Sequence, residues 1–312
     1  MEQRDPETTH VAMLMGGWSS EREVSLSSGR ACTEGLEQAG FRVTQIDVQP
    51  DIIDQLRQVN PDVAFNALHG KWGEDGNVQG ILETLKIPYT HSGVLASALA
   101  MDKHLCKSAV MRAKVPVAEH MIVPLSEALD HDVMPLPYVM KPVADGSSVG
   151  VHIVDRGSNS PVQLVEGPDY DPDAPMMVER FVPGRELTCA VMGNVALGVT
   201  DIVSQAGFYD YDAKYKPGGS EHILPADIPH SVYRRIQRYA LDVHMELGCK
   251  GVSRSDFRYN DTEGPDGELI FLEVNTQPGM TPTSLVPEMA AHAGHSFSEF
   301  LTWMINDAGL NR

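Results

Sequence analysis

The chain has 312 residues, enough for two or three packed domains, and an ordinary globular share of apolar residues at 42%. Its formal net charge of −19 argues against nonspecific binding to nucleic acid or anionic lipid, so an anionic ligand needs a local cluster of Lys and Arg. No apolar run approaches the roughly 18 residues of a membrane span, and residues 1–10 are polar and acidic, unlike a signal peptide. Cys32, Cys106, Cys189 and Cys249 are scattered without metal-like pairing and read as reduced, buried thiols of a cytosolic protein.

Residues 11–15 (Val-Ala-Met-Leu-Met) read as a buried first strand that turns at Gly16-Gly17. Ser20 and Glu23 fit a capping box opening a helix that stops at Gly40. A strand at 41–48, a helix at 52–59 and a strand at 63–68 follow, and this alternation predicts a parallel sheet with helices packed on it. The pattern changes near His91, with a helix over 96–110 and then strands around 117–123, 138–141 and 149–154. Four prolines between 161 and 175 allow no more than a short helix in 157–175. Residues 176–179 and 186–192 read as paired strands joined through Pro183-Gly184. The stretch 204–225 is polar, aperiodic and rich in Gly and Tyr, the character of a lid or binding loop. A helix over 231–247 leads into two strands, and no internal repeat or low-complexity tract is present.

Those last strands carry the most informative residues. Alternation puts Arg254 and Asp256 on one face, and likewise Glu273 and Asn275. Four apolar residues lead into Glu273, so its carboxylate is expected to be buried and to need a partner or a metal. Asp, Glu and Asn form an all-oxygen donor set, suited to Mg²⁺ shared with phosphate rather than to zinc or iron. The run by itself equally suits a structural salt bridge from Arg254 to one carboxylate. Lys141-Pro142 followed by Asp145-Gly146-Ser147-Ser148-Val149-Gly150 can form a backbone anion cradle with a lysine at its mouth, or an ordinary hairpin turn. That loop lacks Walker spacing and Gly16-Gly17 lacks the dinucleotide fingerprint, so neither a P-loop fold nor a Rossmann dehydrogenase is supported. His69 and the acidic pair Glu74-Asp75 follow the third strand, at the sheet edge where α/β proteins bind ligands; the pair also suits a helix cap.

In order along nearly the whole chain stand Gly16-Gly17-Trp18-Ser-Ser-Glu21, His69-Gly70…Gly73-Glu-Asp-Gly76, Met101-Asp-Lys103, Lys141-Pro…Gly146-Ser147-Ser-Val-Gly150, Phe208…Lys214-Tyr215, Arg254-Ser-Asp256 and Glu273-Val-Asn275-Thr-Gln-Pro-Gly279…Ser284-Leu285. One such motif is weak, but all of them in register are specific, and together they resemble the D-alanine–D-alanine ligases of the ATP-grasp superfamily. The resemblance implies an α/β protein with a parallel N-terminal domain (1–92), a small central α+β domain (93–187) and a C-terminal catalytic domain (188–312). It implies that Lys103 and Lys141 contact ATP phosphates and that Lys214 reaches the γ-phosphate. Glu179, Arg180, Val182 and Glu186 would face the adenosine. Asp256, Glu273 and Asn275 would hold two Mg²⁺ ions, with Mn²⁺ as a substitute. Glu21, linked through Ser147 to Tyr215, would take the ammonium of the first D-alanine. Arg254 and the Gly279 N–H would stabilise the acyl phosphate and tetrahedral intermediate, and His69, Ser284 and Leu285 would complete the substrate pocket.

The same resemblance implies ligation of two D-alanines for peptidoglycan precursors in the cytoplasm, by a homodimer with no nucleic-acid or membrane partner. A D-alanine–D-lactate ligase is the nearest alternative, disfavoured by Tyr215. A noncatalytic nucleotide-binding regulator should have lost one of Lys214, Arg254, Asp256 or Glu273, and all are present. Three departures from the family pattern stand out: His91 where glycine is usual, Arg180 where lysine is frequent, and the proline-rich 157–175 in place of a helical stretch.

Overall fold

A computed structural model describes residues 3–144, 150–156, 171–204, 219–263 and 266–312. In the N-terminal part, β1 (His10–Gly16) lies between β2 (Arg42–Val48) and β3 (Val63–Asn66) and pairs with both in parallel. Its apolar run is continuous because both faces are covered. Val11, Met13 and Met15 join one core with Phe65 and Phe300, whereas Ala12 and Leu14 join another with Ile46, Leu56 and Tyr89. The expected helices appear as α1 (Arg22–Gln38) and α2 (Ile52–Val59), followed by α3 (Asn77–Leu85). The capping box at Ser20 and Glu23 is absent: α1 begins at Arg22, and its N-cap residue Glu21 makes no side-chain capping bond. Its carboxylate is instead directed over Gly70, where a Cβ would lie 2.5 Å from Glu21 Oε2.

The single helix expected over 96–110 is two, α4 (Val94–Met101) and α5 (Lys103–Arg112). Asp102 breaks them. Its backbone is extended, and its side chain accepts a hydrogen bond from the Leu105 N–H, capping α5. Both helices pack on the C-terminal core beside Phe257 and Phe271. The central sheet runs in the order β4 (His120–Pro124), β7 (Pro175–Arg180), β5 (Tyr138–Pro142), β6 (His152–Val154), with α6 (Leu125–Asp130) against it. The C-terminal sheet runs β10 (Ser220–Ile223), β9 (Val195–Ser204), β8 (Arg185–Met192), β11 (Val252–Asn260), β12 (Glu268–Asn275). It is backed by α7 (His230–Glu246), while α8 (Leu285–His292) and α9 (Phe297–Asp307) close the chain.

Two strand expectations are corrected here. The stretches at 176–179 and 186–192 do not pair with each other: β7 pairs with β4 and β5, while β8 pairs with β9 and β11. The chain between them crosses from one sheet to the next, so the expected domain boundary at 187/188 falls inside β8. Within 204–225, residues 220–223 form the edge strand β10 against β9, whereas 205–218 lie outside the described residues. Most of the proline-rich stretch, 157–170, also lies outside them.

Gly184 is what lets the chain cross. Its φ of 99° lies in the left-handed region, and a Cβ there would sit 2.2 Å from the Tyr259 carbonyl oxygen. Gly184→Ala is expected to destabilise the protein by about 2–4 kcal/mol, read as a lower urea midpoint. An unchanged midpoint would show that the crossing tolerates a side chain.

Candidate active site

A cleft of about 490 Å³ opens where the turn after β3, the start of α1, the α4–α5 junction and the end of β12 converge. It is lined by Glu21, His69, Glu74, Lys103, Arg254, Glu273, Asn275, Gly279, Ser284 and Leu285 among others. Nine of those ten were singled out as site residues from the sequence, and they come from opposite ends of the chain. Glu74 does not cap the next helix: its Oε1 accepts from the Gly70 N–H at 2.6 Å. Removal from water, and then the nearby Glu21, push its carboxyl well above the usual carboxylate range.

The two C-terminal strands deliver the expected face. Arg254 lies opposite Asn275 and Asp256 opposite Glu273, and opposed residues of an antiparallel pair share a face. A bulge follows immediately, shifting the register between Asp256 and Phe257. Arg254 donates to both oxygens of Asp256, Nε at 2.9 Å and Nη2 at 2.8 Å. Thr188 Oγ1 (2.6 Å) and Asn275 Nδ2 (3.2 Å) also donate to that carboxylate. The Arg254 salt bridge is therefore real, but it occupies Asp256 and not Glu273. Glu273 is not buried as expected: its side chain is 29% exposed in the cleft, with Lys103 Nζ at 3.7 Å. The bulge is the physical reason, since its extra residue, Leu272, sets Glu273 opposite Asp256 on the cleft face while Val274 stays in the core.

Among the described residues no three His, Cys, Asp or Glu side chains cluster as a metal site. A cation on this face therefore needs the Asn275 amide oxygen and oxygens from its ligand, the combination that suits a phosphate-bound Mg²⁺. The oxygen donors fit such an ion.

Behind the cleft lies a buried ion cluster. Val139 of β5 is opposite Glu179 of β7, so Lys141, two residues on, shares the Glu179 face. Lys141 Nζ donates to Glu179 Oε1, and Lys107 Nζ, from α5, donates to Oε2 at 2.5 Å. Burial alone would raise the Glu179 carboxyl, but the two ammoniums outweigh it and hold it down to about 2. Glu179, expected to touch adenosine, thus has both oxygens on lysines. Arg180 pairs with Glu268 at 2.6 Å. Glu186 faces Arg258 at 3.4 Å, and Arg258 also donates to the carbonyls of Val182 (3.1 Å) and Gly184 (2.8 Å), fastening the crossing segment. Ser147, Lys214 and Tyr215 lie outside the described residues.

Sequence reasoning missed three contributors. Lys107 is fully buried, and its signal was its position four residues after Lys103, on the same helix face. Gln277 accepts from Asn66 Nδ2 at 2.6 Å and donates to the Leu68 carbonyl, tying the first sheet to the end of β12. Ser28 Oγ bonds His69 Nε2 at 3.2 Å, and burial lowers that histidine to about 4, so it is neutral. At the far wall, Ser284 Oγ accepts from the Thr281 N–H at 3.0 Å.

The family model described as D-ala D-ala ligase C-terminus matches residues 111–306, and that described as D-ala D-ala ligase N-terminus matches 48–92. The chain is 56% identical to the D-alanine–D-alanine ligase of Parvibaculum lavamentivorans, over 97% of this chain and 98% of that protein. It is 58% identical to that of Xanthobacter autotrophicus, over 97% and 99%. Among solved structures it resembles D-alanine–D-alanine ligase from Bacillus anthracis complexed with ATP, with a TM-score of 0.78, 27% identity, and coverage of 96% and 97%. VanG D-Ala:D-Ser ligase from Enterococcus faecalis gives a TM-score of 0.73 at 29% identity, covering 95% and 98%. With sheet order, cleft and sequence in agreement over nearly its full length, the chain belongs to the D-alanine–D-alanine ligase family and has the ATP-grasp fold.

Proposed function

We infer that this chain joins two D-alanines into D-alanyl-D-alanine at the expense of ATP, supplying a peptidoglycan precursor. One observation carries the reading: a single cleft gathers Glu21, Lys103, Arg254, Glu273, Asn275 and Ser284 from opposite ends of the chain, in a family whose full-length relatives carry that name. The carboxylate of the first D-alanine attacks the γ-phosphate of ATP, giving an acyl phosphate and ADP. The amine of the second D-alanine then attacks that carbonyl and releases phosphate. Glu21, on the first-sheet side, takes the ammonium of the first substrate. Arg254 and the Gly279 N–H offset negative charge on the reacting carbonyl, and Ser284 and Leu285 receive the second substrate. Lys103, Lys141 and Lys214 lie along the phosphates, and Glu186, Arg180 and the Val182 backbone border the adenosine. Asp256, Glu273 and Asn275 would hold Mg²⁺ or Mn²⁺, which supplies neutralisation of phosphate charge when bound.

No helix among the described residues is long and apolar enough to cross a membrane. The reading places the enzyme in the cytoplasm as a homodimer, the assembly to be checked by sedimentation. Its activity is tested by phosphate release with ATP and D-alanine, L-alanine or D-lactate supplied separately. D-alanine alone is expected to give turnover, at least about a hundredfold above the others. Equal release with L-alanine, or none with D-alanine, would overturn the assignment.

A further inference from the structure

Lysine is almost never fully buried without a partner, yet the Lys107 side chain has no exposed surface. Its ammonium meets Glu179 Oε2 at 2.5 Å, while Glu179 Oε1 is held by Lys141. The Glu179 and Lys141 side chains are only 4% and 8% exposed, so the three charges share one poorly screened pocket. Two ammoniums and one carboxylate leave a single net positive charge. Without Lys107, Glu179 would match Lys141 one for one and nothing would remain over. The cluster also adjoins the cleft. Lys103, one helical turn before Lys107, lines it and pairs with Glu273, and its backbone N–H bonds the Val143 carbonyl, two residues after Lys141. Lys141 in turn feels the charges of Glu273 and Glu186.

Resting on the reading of this cleft as a nucleotide site, we propose that Lys107 is a positioning residue for ATP: it offsets Glu179 from behind, so that the charge of Lys141 stays available to the phosphates. A lysine that merely ties α5 to the central sheet would support the fold but would not distinguish a phosphorylated ligand from a neutral one.

The test measures dissociation constants for ADP and adenosine on the full chain, by calorimetry and by displacement. Lys107→Met is expected to weaken ADP by about tenfold or more while adenosine changes by less than about twofold. The double variant Lys107→Met/Glu179→Gln restores one net positive charge and is expected to regain the wild-type preference for ADP over adenosine. Parallel losses on ADP and adenosine in the single variant, or a double variant whose preference stays about tenfold below wild type, would overturn the proposal. If Lys107→Met fails to fold, seen as lost far-UV circular dichroism, the double variant, which removes the carboxylate together with its second lysine, decides alone by the same ratio. A wild-type chain that binds neither ATP nor ADP would sink the nucleotide reading itself and not this refinement of it.

Discussion

Glu273→Gln is expected to lower turnover by about a hundredfold or more at limiting Mg²⁺ while leaving the fold intact. The reason lies in how the two carboxylates of this face differ. Asp256 is buried and engaged by Arg254, Thr188 and Asn275. Removing its charge would strand a guanidinium that is itself only 12% exposed, and breaking a buried pair in this way costs about 3–5 kcal/mol. A loss of activity there would be confounded by instability. Glu273 reaches the cleft past the bulge, so an isosteric amide changes charge without opening a cavity. The measurement is phosphate release against Mg²⁺ concentration, paired with a thermal melt and with calorimetric titration of Mg²⁺ into the ADP complex. A normal melt with weaker Mg²⁺ binding and collapsed turnover supports the assignment. Near wild-type turnover at low Mg²⁺ would remove Glu273 from the metal face.

The same bulge shows what the sequence could and could not disclose. Period-two alternation put Arg254 with Asp256 and Glu273 with Asn275, because each pairing needs only the pleat of one strand, whereas the register that joins the two pairs on one face comes from the sheet. Alternation could not see the extra residue near Leu272 that turns Glu273 outward, since a bulge is a property of two strands together. The β/α alternation of the first ninety-two residues was legible because each strand and helix announces its own period. The partners of β7 and β8 were not: both are apolar runs joined by a Pro-Gly turn, and local pattern does not say whether a turn closes a hairpin or carries the chain to another sheet. The break at Asp102 had a readable signal, an N-cap residue in front of Lys103, hidden by apolar periodicity that continues through it. Lys107 and Gln277 were overlooked for a common reason. Lysine and glutamine are exposed in most proteins, and only the assembled molecule shows which ones are not.

Stability is expected to fall steeply as pH drops from 6.5 toward 5, well above the range in which ordinary carboxylates titrate. Burial lowers His69 to about 4, His91 to about 3 and His244 to about 4, against 6.5 for a free imidazole. A base whose pKa is depressed in the folded state takes up a proton on unfolding, so its contribution is complete above 6.5 and is lost as pH falls. Glu74, whose burial raises its carboxyl well above the usual range, runs the other way and offsets part of this. Burial lowers His10 and His152 as well, so against one opposing carboxyl the histidines leave about two protons or more, ~3 kcal/mol per pH unit, near pH 5.5. His91 offers the sharpest check. Both of its ring nitrogens are buried without a hydrogen-bond partner among the described residues, and its backbone holds a left-handed φ of 68°, a conformation that glycine adopts without strain. His91→Gly removes one titrating site, at the cost of the edge contact with Phe65 at 5.9 Å. Urea midpoints at pH 7.5, 6.5 and 5.5 should fall less steeply in the variant, by about one proton's worth, whatever its stability at pH 7.5. A wild-type chain whose midpoint stays flat across that range would mean that these imidazoles are protonated in the folded protein, and the neutral environment assigned to them would be wrong.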